Sequence, residues 1–360
     1  MAEVQNDHGK QTNKAGKTIA ALGEIMLRLS TPGHERFMQA DSFDVCYGGS
    51  EANTLVSLSD FGYETLFLSA VPDNPIGDSA VAALRKYAVG TQAVIRKGQR
   101  LGIYFLESGS AVRPSNVVYD RAGSAMAEAA PGDFDFDALF RDNAVCWFHF
   151  SGITPALSDA AAALTKEALH AAKRAGIRTS VDLNYRKKLW SREKAQAVMS
   201  DLMQDVDVCF GNEEDVATVF GLRASKTDVQ KGTLDLNGYE TVFRALSERF
   251  SLSMVASSLR ESHSASHNGW SACLYDAKAD AFYHSRSYTA LPIVDRVGAG
   301  DAFSAGCICG LLDGKSPEEA LEFGAAASAL KHTMPGDFNI VTRREVETLC
   351  GGDASGRIMR

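Results

Sequence analysis

Strand-like and helix-like segments alternate along almost the whole 360-residue chain, and this alternation limits the fold more than any other feature. "TIAALGEIML" (18–27) reads as a buried strand, "ANTLVSLSDFG" (52–62) as a helix stopped by glycine, and "ETLFLSAV" (64–71) as a strand again. A helical segment at 76–90 and an alternating strand at 102–107 follow. "AVCWFHFSG" (144–152) is a continuous apolar run, as expected of a central strand covered on both faces. The clearest helix spans 158–176, opening on Ser-Asp and closing on Lys-Arg before a glycine. Strand and helix segments continue at 177–184, 191–203, 205–212, 213–221, 239–250 and 252–259, and small-residue helices at 302–314 and 316–332 close the series. Such regularity predicts a mostly parallel sheet with helices on both faces, and ligands bound outside the carboxyl ends of its strands. Two extended, aromatic stretches, 24–47 and 92–121, break the pattern and read as strands of a small lid. No repeat or linker divides the remainder.

The formal charge of −8 gives no basic face for a phosphate backbone, so a nucleic-acid role is not expected. An anionic substrate would need local positive groups set against the protein's own field. The segment 1–17 is polar and lacks the apolar core of a signal peptide; it reads as a disordered tail. No stretch approaches the roughly 18 apolar residues of a membrane helix, so the expectation is a cytoplasmic protein without a membrane partner. The seven cysteines are odd in number, contain no C-x-x-C and sit mostly in apolar runs, as small buried hydrophobes of a reducing compartment do.

Four short stretches carry candidate chemistry. In "DRVGAGDAFSAG" (295–306), Gly298, Ala299 and Gly300 allow backbone N–H groups to crowd together just before Asp301. If a helix starts there, its free donors and dipole suit a phosphoryl group, and Asp301 can take the proton of an attacking hydroxyl. Asp301 as a simple N-cap is the competing reading. "YGGSEAN" (47–53) sets Gly48 and Gly49 before Asn53, either as a close approach to a ligand or as a tight turn. "VDLNYRKKLW" (181–190) ends a strand with Asp182, Asn184 and Arg186 on one side; Arg186 offers a fork to carboxylate or phosphate, or belongs to a solvated basic loop. "FGNEEDV" (210–216) places Asn212, Glu214 and Asp215 at a helix start, for the helix dipole or for water-mediated magnesium. "GLLDGKS" (310–316) imitates a phosphate-binding loop but lacks a residue between its glycines and lies between helices. His149 reads as a core histidine.

Together and in this order, these stretches resemble the ribokinase-like (PfkB) carbohydrate kinase family, over roughly residues 18–345. "FHFSGITPALS", "VDLNYRKKLW" and "PGDFNIVTRREVE" resemble the 2-keto-3-deoxygluconate kinases within it. The resemblance implies a three-layer α/β/α sandwich with a mostly parallel central sheet and a small β-sheet lid, forming one kinase domain over 18–350. It implies ATP-dependent phosphorylation of a sugar acid's primary hydroxyl, with Asp301 as general base and Gly298, Ala299 and Gly300 as anion hole. Gly48, Gly49, Asn53, Tyr104, Tyr119, Arg121 and Arg186 would surround the substrate. Asn212 would contact ATP, Asp215 or Glu214 would support Mg2+ through water, and Asp295 would help build a monovalent-cation (K+) site. A homodimer through the lid is also implied.

Three departures stand out. Arg296 replaces the threonine usual after Asp295, and Asp215 replaces a glutamate. The nucleotide loop is the longer "SSLRESHSASHNGWSA" (257–272), in which Ser258, Arg260, Asn268 and Gly269 are the candidate ATP contacts. A kinase for a neutral ketose, ribose or a nucleoside is the nearest alternative, and a non-catalytic sugar-responsive binding protein is the alternative of a different class.

Overall fold

A computed structural model of the protein describes residues 17–223 and 236–352; the tail expected over 1–17 lies, apart from Lys17, outside the described residues. The strands are β1 (Thr18–Leu22), β2 (Met26–Ser30), β3 (Asp44–Gly48), β4 (Glu64–Val71), β5 (Val94–Arg96), β6 (Gly102–Glu107), β7 (Asn116–Asp120), β8 (Val145–Ser151), β9 (Arg178–Asp182), β10 (Val208–Phe210), β11 (Met254–Ser262), β12 (His267–Asp276), β13 (Ala281–His284) and β14 (Tyr288–Pro292). The helices are α1 (Ser50–Asp60), α2 (Pro75–Arg85), α3 (Phe136–Asp142), α4 (Ile153–Ala156), α5 (Asp159–Arg174), α6 (Arg192–Leu202), α7 (Glu213–Phe220), α8 (Leu236–Phe250), α9 (Ala299–Leu312), α10 (Pro317–Lys331) and α11 (Arg343–Cys350).

The apolar run of β8 forms a central strand because both of its faces are covered. Phe148 and Phe150 pack into one core, with Leu164 and Ala168 of α5 and Met199 of α6. Trp147 points to the other, with Leu55 of α1, Phe303 of α9 and Leu321 of α10. The strand order is β13-β12-β11-β10-β9-β8-β1-β4-β5, with β14 paired to β12. Pairing is parallel from β5 to β11 and antiparallel among β11, β12, β13 and β14. The direction of winding reverses beside β1, which leaves a crevice at the carboxyl ends of the strands. This is the mostly parallel, helix-covered sheet that the alternation predicts. Among the described residues no helix is long and apolar enough to cross a membrane.

The lid is a second sheet, ordered β3-β2-β6-β7. It uses the two expected stretches with one correction: β5, at the start of 92–121, pairs with β4 at the edge of the main sheet. Three residues of strand carry too short a pattern to tell an edge from a lid. Along β2 the side chains alternate between faces. Arg28 stands opposite Cys46 and Tyr104, with Tyr119 beyond, while Leu29 stands in a row with Val45, Phe105 and Val118. The first row is turned inward, with Arg28 and Tyr104 buried, and the second is partly open to water.

Candidate active site

The crevice is organised by the start of α9. Gly298 has φ 85°, in the left-handed region, and a Cβ there would lie 2.0 Å from the Asp337 carbonyl oxygen, so both conformation and space demand glycine. The helix begins at Ala299, two residues ahead of Asp301, and no side chain caps it. The first N–H groups of an α-helix have no acceptor within it. Ala299 N–H turns back to the Arg296 carbonyl at 3.3 Å, which leaves the donors that follow. A Cβ on Gly300 would meet nothing within 4 Å, and Gly300 lines the cavity. Room for a small anion therefore lies beside donors that favour one.

Asp301 stands in the first turn and is only 8% exposed. Ser50 Oγ donates to its Oδ1 at 2.6 Å and Asn53 Nδ2 donates to its Oδ2 at 2.7 Å. Both donors come from the start of α1, where a spacing of three places them on one side. Burial raises the Asp301 pKa above the ordinary value, and the two hydrogen bonds oppose that shift. Ser50 is a residue that the sequence reading passed over, although it stands between the two glycines and Asn53 in the same motif. Its neighbour Glu51 points away from the cavity and ties α1 to β8, accepting from the Ser151 amide at 2.8 Å and hydroxyl at 2.7 Å.

A cavity of about 360 Å³ opens in front of Asp301. Its floor is made by Asp182 at the end of β9, Phe210 at the end of β10, and Ala256, Ser257 and Ser258 of β11; its roof by Met26, Tyr104, Val117 and Tyr119 of the lid. Asn184, Arg186, Asn212 and Asp215 close one side, and Arg296, Val297 and Gly298 the other. Burial, then the charges of Asp301 and Asp215, push the Asp182 pKa well above the usual value. Burial raises that of Asp215 to about 6. The Arg186 charge opposes the shift at each of these three carboxylates. Arg186 is itself exposed and has no ion-pair partner among the described residues.

Asn212 caps α7: its Oδ1 accepts from the Asp215 amide at 2.8 Å, and its Nδ2 donates to Asp215 Oδ2 at 3.0 Å. Glu214 is exposed and faces a second, larger cavity, about 1030 Å³, which shares Tyr119, Arg121, Arg186 and Asp215 with the first. Among the described residues no three acidic, histidine or cysteine side chains converge to cage a metal unaided. The donor set still fits hydrated magnesium, which takes one or two carboxylates beside phosphate oxygens and water. Asp182, which meets the charges of both Asp301 and Asp215, also makes this a place where a cation is favoured.

The roof residues are tied together more than the sequence reading anticipated. Tyr104 donates its hydroxyl to Asp337 Oδ2 at 2.5 Å, and Arg28 holds Asp337 Oδ1 at 2.7 Å and Asp295 Oδ2 at 2.6 Å. Arg121 is 8% exposed and paired with Glu24, and its guanidinium lies 5.7 Å from the Tyr119 ring centre. A Cβ on Gly48 would strike the Asp337 carboxylate, and one on Gly49 the Glu24 carbonyl, so both glycines serve close approach between lid and core. Gly49 borders the cavity.

The segment 257–272, read as a nucleotide loop, is the β11–β12 hairpin, with Arg260 opposite Trp270 and Glu261 opposite Gly269. Ser258 lines the cavity. Asn268, 1% exposed, lies inside the hairpin, opposite Ser262. Gly269 sits against the Glu261 side chain. Arg260 is exposed, and its charge reaches Arg296, whose Nη2 donates to the Ala265 carbonyl at 2.7 Å. Arg28, Asp337 and Lys331 were not anticipated at all. Each looks ordinary in its own stretch, and only the fold assembles them.

Residues 17–242 and 271–342 match the pfkB family of carbohydrate kinases. A 2-dehydro-3-deoxygalactonokinase of Haloferax volcanii is 35% identical over 93% of this chain and 98% of its own length. A 2-dehydro-3-deoxygluconokinase of Thermoproteus tenax is 30% identical over 97% of this chain and 99% of its own. Among solved structures, 2-dehydro-3-deoxygluconokinase from Thermotoga maritima superposes with a TM-score of 0.88 at 44% identity, covering 93% of this chain and all of that one.

Proposed function

Since the chain belongs to the pfkB family of carbohydrate kinases, we propose that it transfers the γ-phosphoryl group of ATP to the primary hydroxyl of a sugar acid, 2-keto-3-deoxygluconate. The observation that carries this reading is Asp301, buried at the foot of an uncapped helix, with both carboxylate oxygens held and open space beside Gly300. The relatives named above, which act on 2-dehydro-3-deoxy sugar acids by their names, support the substrate class.

In this mechanism the sugar hydroxyl lies between Asp301 and the terminal phosphorus. Asp301 accepts the hydroxyl proton as the oxygen bonds to phosphorus, and the bond to the bridging oxygen breaks to release ADP. The α9 donors stabilise charge spread over the equatorial phosphoryl oxygens. Magnesium, when bound, neutralises phosphate charge; Asp215 and Asp182 would hold it through water, with Glu214 farther out. Ser258 and Asn212 border the space for the nucleotide, and Arg296 adds a guanidinium there. Arg186 supplies the fork for the substrate carboxylate, with Tyr119 beside it.

One observation favours a second reading. Glu24 already neutralises Arg121, which leaves selection of the acid over a neutral ketose to Arg186, with Arg296 across the cavity on the nucleotide side. A coupled ADP-release screen over sugar acids, ketoses and nucleosides separates the two. The acid should be turned over fastest. Arg186→Ala should raise the KM for the acid about tenfold or more, since a charge-assisted hydrogen bond contributes roughly 1.5–3 kcal/mol, and leave the KM for ATP nearly unchanged. Equal turnover of fructose or ribose by the unaltered enzyme would remove the carboxylate from the reading and leave the kinase intact. No ADP release with any of these acceptors would leave the non-catalytic binding protein.

A further inference from the structure

The surroundings of Asp295 do not fit a bound monovalent cation. Asp295 Oδ2 accepts from Arg28 Nη2 at 2.6 Å and the Gly336 amide at 3.2 Å, and its Oδ1 accepts from the Val297 amide at 3.0 Å. Three of the roughly four acceptor directions of this carboxylate are taken, two of them at Oδ2 where Arg28 stands, so little of Asp295 is left to face a potassium ion. Arg28, whose Nε is also held by Ser30 Oγ at 2.7 Å, cannot swing away without breaking three bonds.

A second cation is buried close by. Lys331, the last residue of α10, has no exposed surface. Its Nζ donates to the Met334 carbonyl at 3.3 Å, and its Cε would lie 3.4 Å from a Cβ placed on Gly298. The ammonium therefore sits behind the turn whose front faces the cavity. Burial pulls the Lys331 pKa below its usual value, and the charges of Asp295 and Asp337 oppose that pull. Arg28 and Lys331 are the two buried cations among three buried carboxylates, Asp295, Asp337 and Asp301, and Arg28 bridges two of the three directly. The chain's own cations thus stand where a bound ion would otherwise be called for, and taking another cation out of water there carries a desolvation cost.

We propose that Lys331, with Arg28, is a built-in cation that positions the Gly298–Gly300 turn, so that this protein works without potassium. Lys331 acts through the turn and is a positioning residue; its ammonium adds positive potential behind the anion site, where preorganised charge is most effective. The inference rests on the kinase reading for its effect on rate, but not for its effect on cation binding.

The test compares KCl, NaCl and tetramethylammonium chloride at one ionic strength, about 0.1 M. For the unaltered protein we expect the same melting temperature in all three salts, and rates within about twofold, since a ligand that does not bind cannot stabilise. Lys331→Met removes the charge and keeps the length. It should lower kcat by about a hundredfold in tetramethylammonium chloride, with KCl or NH4Cl restoring about tenfold of that loss, as expected for a displaced electrostatic group. KCl should also raise the variant's melting temperature. Potassium activation or stabilisation of the unaltered protein would overturn the proposal. So would a Lys331→Met variant that is fully active in tetramethylammonium chloride, or one that is impaired and indifferent to every monovalent cation. If the variant does not fold, the salt comparison on the unaltered protein still decides. If no acceptor is phosphorylated, the kinase reading fails, and the melting comparison still tests the cation.

Discussion

Asparagine at position 301 would keep the outline of the side chain and remove the base. Ser50 and Asn53 both donate to this carboxylate, so the amide must turn one donor toward another, a local disturbance rather than a collapse. We expect Asp301→Asn to lower kcat by about 10²–10⁴-fold, with little change in ATP affinity by calorimetry. The sign of the pH dependence follows from burial. Asp301 must be ionised to accept a proton, and its pKa is raised above 3.8, so kcat should fall on acidification along a limb lying above the ordinary aspartate value. The variant should lack that limb. Retention of a tenth of the activity, or an unchanged acid limb, would remove Asp301 from the role. This residue was legible in the sequence because Gly298 and Gly300, which shape the turn before it, lie within three positions of it. Arg28 and Asp337 were not, because the contact spans 309 positions. Lys331 in particular looks like a routine cation in a last helical turn, favoured there by the dipole alone.

At the scale of elements, α9 must be held still for Asp301 to stay aligned, and the small residues of α9 and α10 explain how. A Cβ on Gly306 would come within 2.7 Å of Gly324 Cα, and one on Gly310 within 2.7 Å of Ala320 Cα. The two helices thus approach backbone to backbone, and neither contact can yield by a rotamer change. Gly310→Ala should push α10 outward, lower stability by about 1–3 kcal/mol in thermal or urea unfolding, and reduce kcat through the shifted helix start. An unchanged melting temperature would mean that the helices slide apart freely. Both helices were expected within a few residues of where they stand, α9 from its small-residue periodicity and α10 from its Ser316 cap as well, whereas the short α3, α4 and α11 were not read. The β11–β12 hairpin was read as a loop because Ser, His and Asn dominate its turn, and cross-strand pairing such as Arg260 with Trp270 leaves no mark in one strand alone.

For the molecule as a whole, the lid determines both what enters the cleft and what meets the outside. Its outward row leaves Val45 61% and Val118 46% exposed, beside half-buried Leu29 and Phe105, with Phe43 edge-on to Phe105 at 5.8 Å. A contiguous apolar sheet face of this kind marks an association surface, and we expect a second copy of the chain to cover it. Light scattering should give twice the chain mass, and Val45→Glu should shift it toward one; a monomer at micromolar concentration would count against the pairing. The inward row of the same strands carries Arg28, Tyr104 and Tyr119. Because strand side chains alternate strictly, inserting one residue within β2 would send Arg28 outward and Leu29 into the cleft together. Heredity and engineering therefore meet the two faces of the lid as a single linked trait: a ribbon grafted from a relative to alter substrate choice replaces the outward row along with the inward one, and neither can be inherited alone.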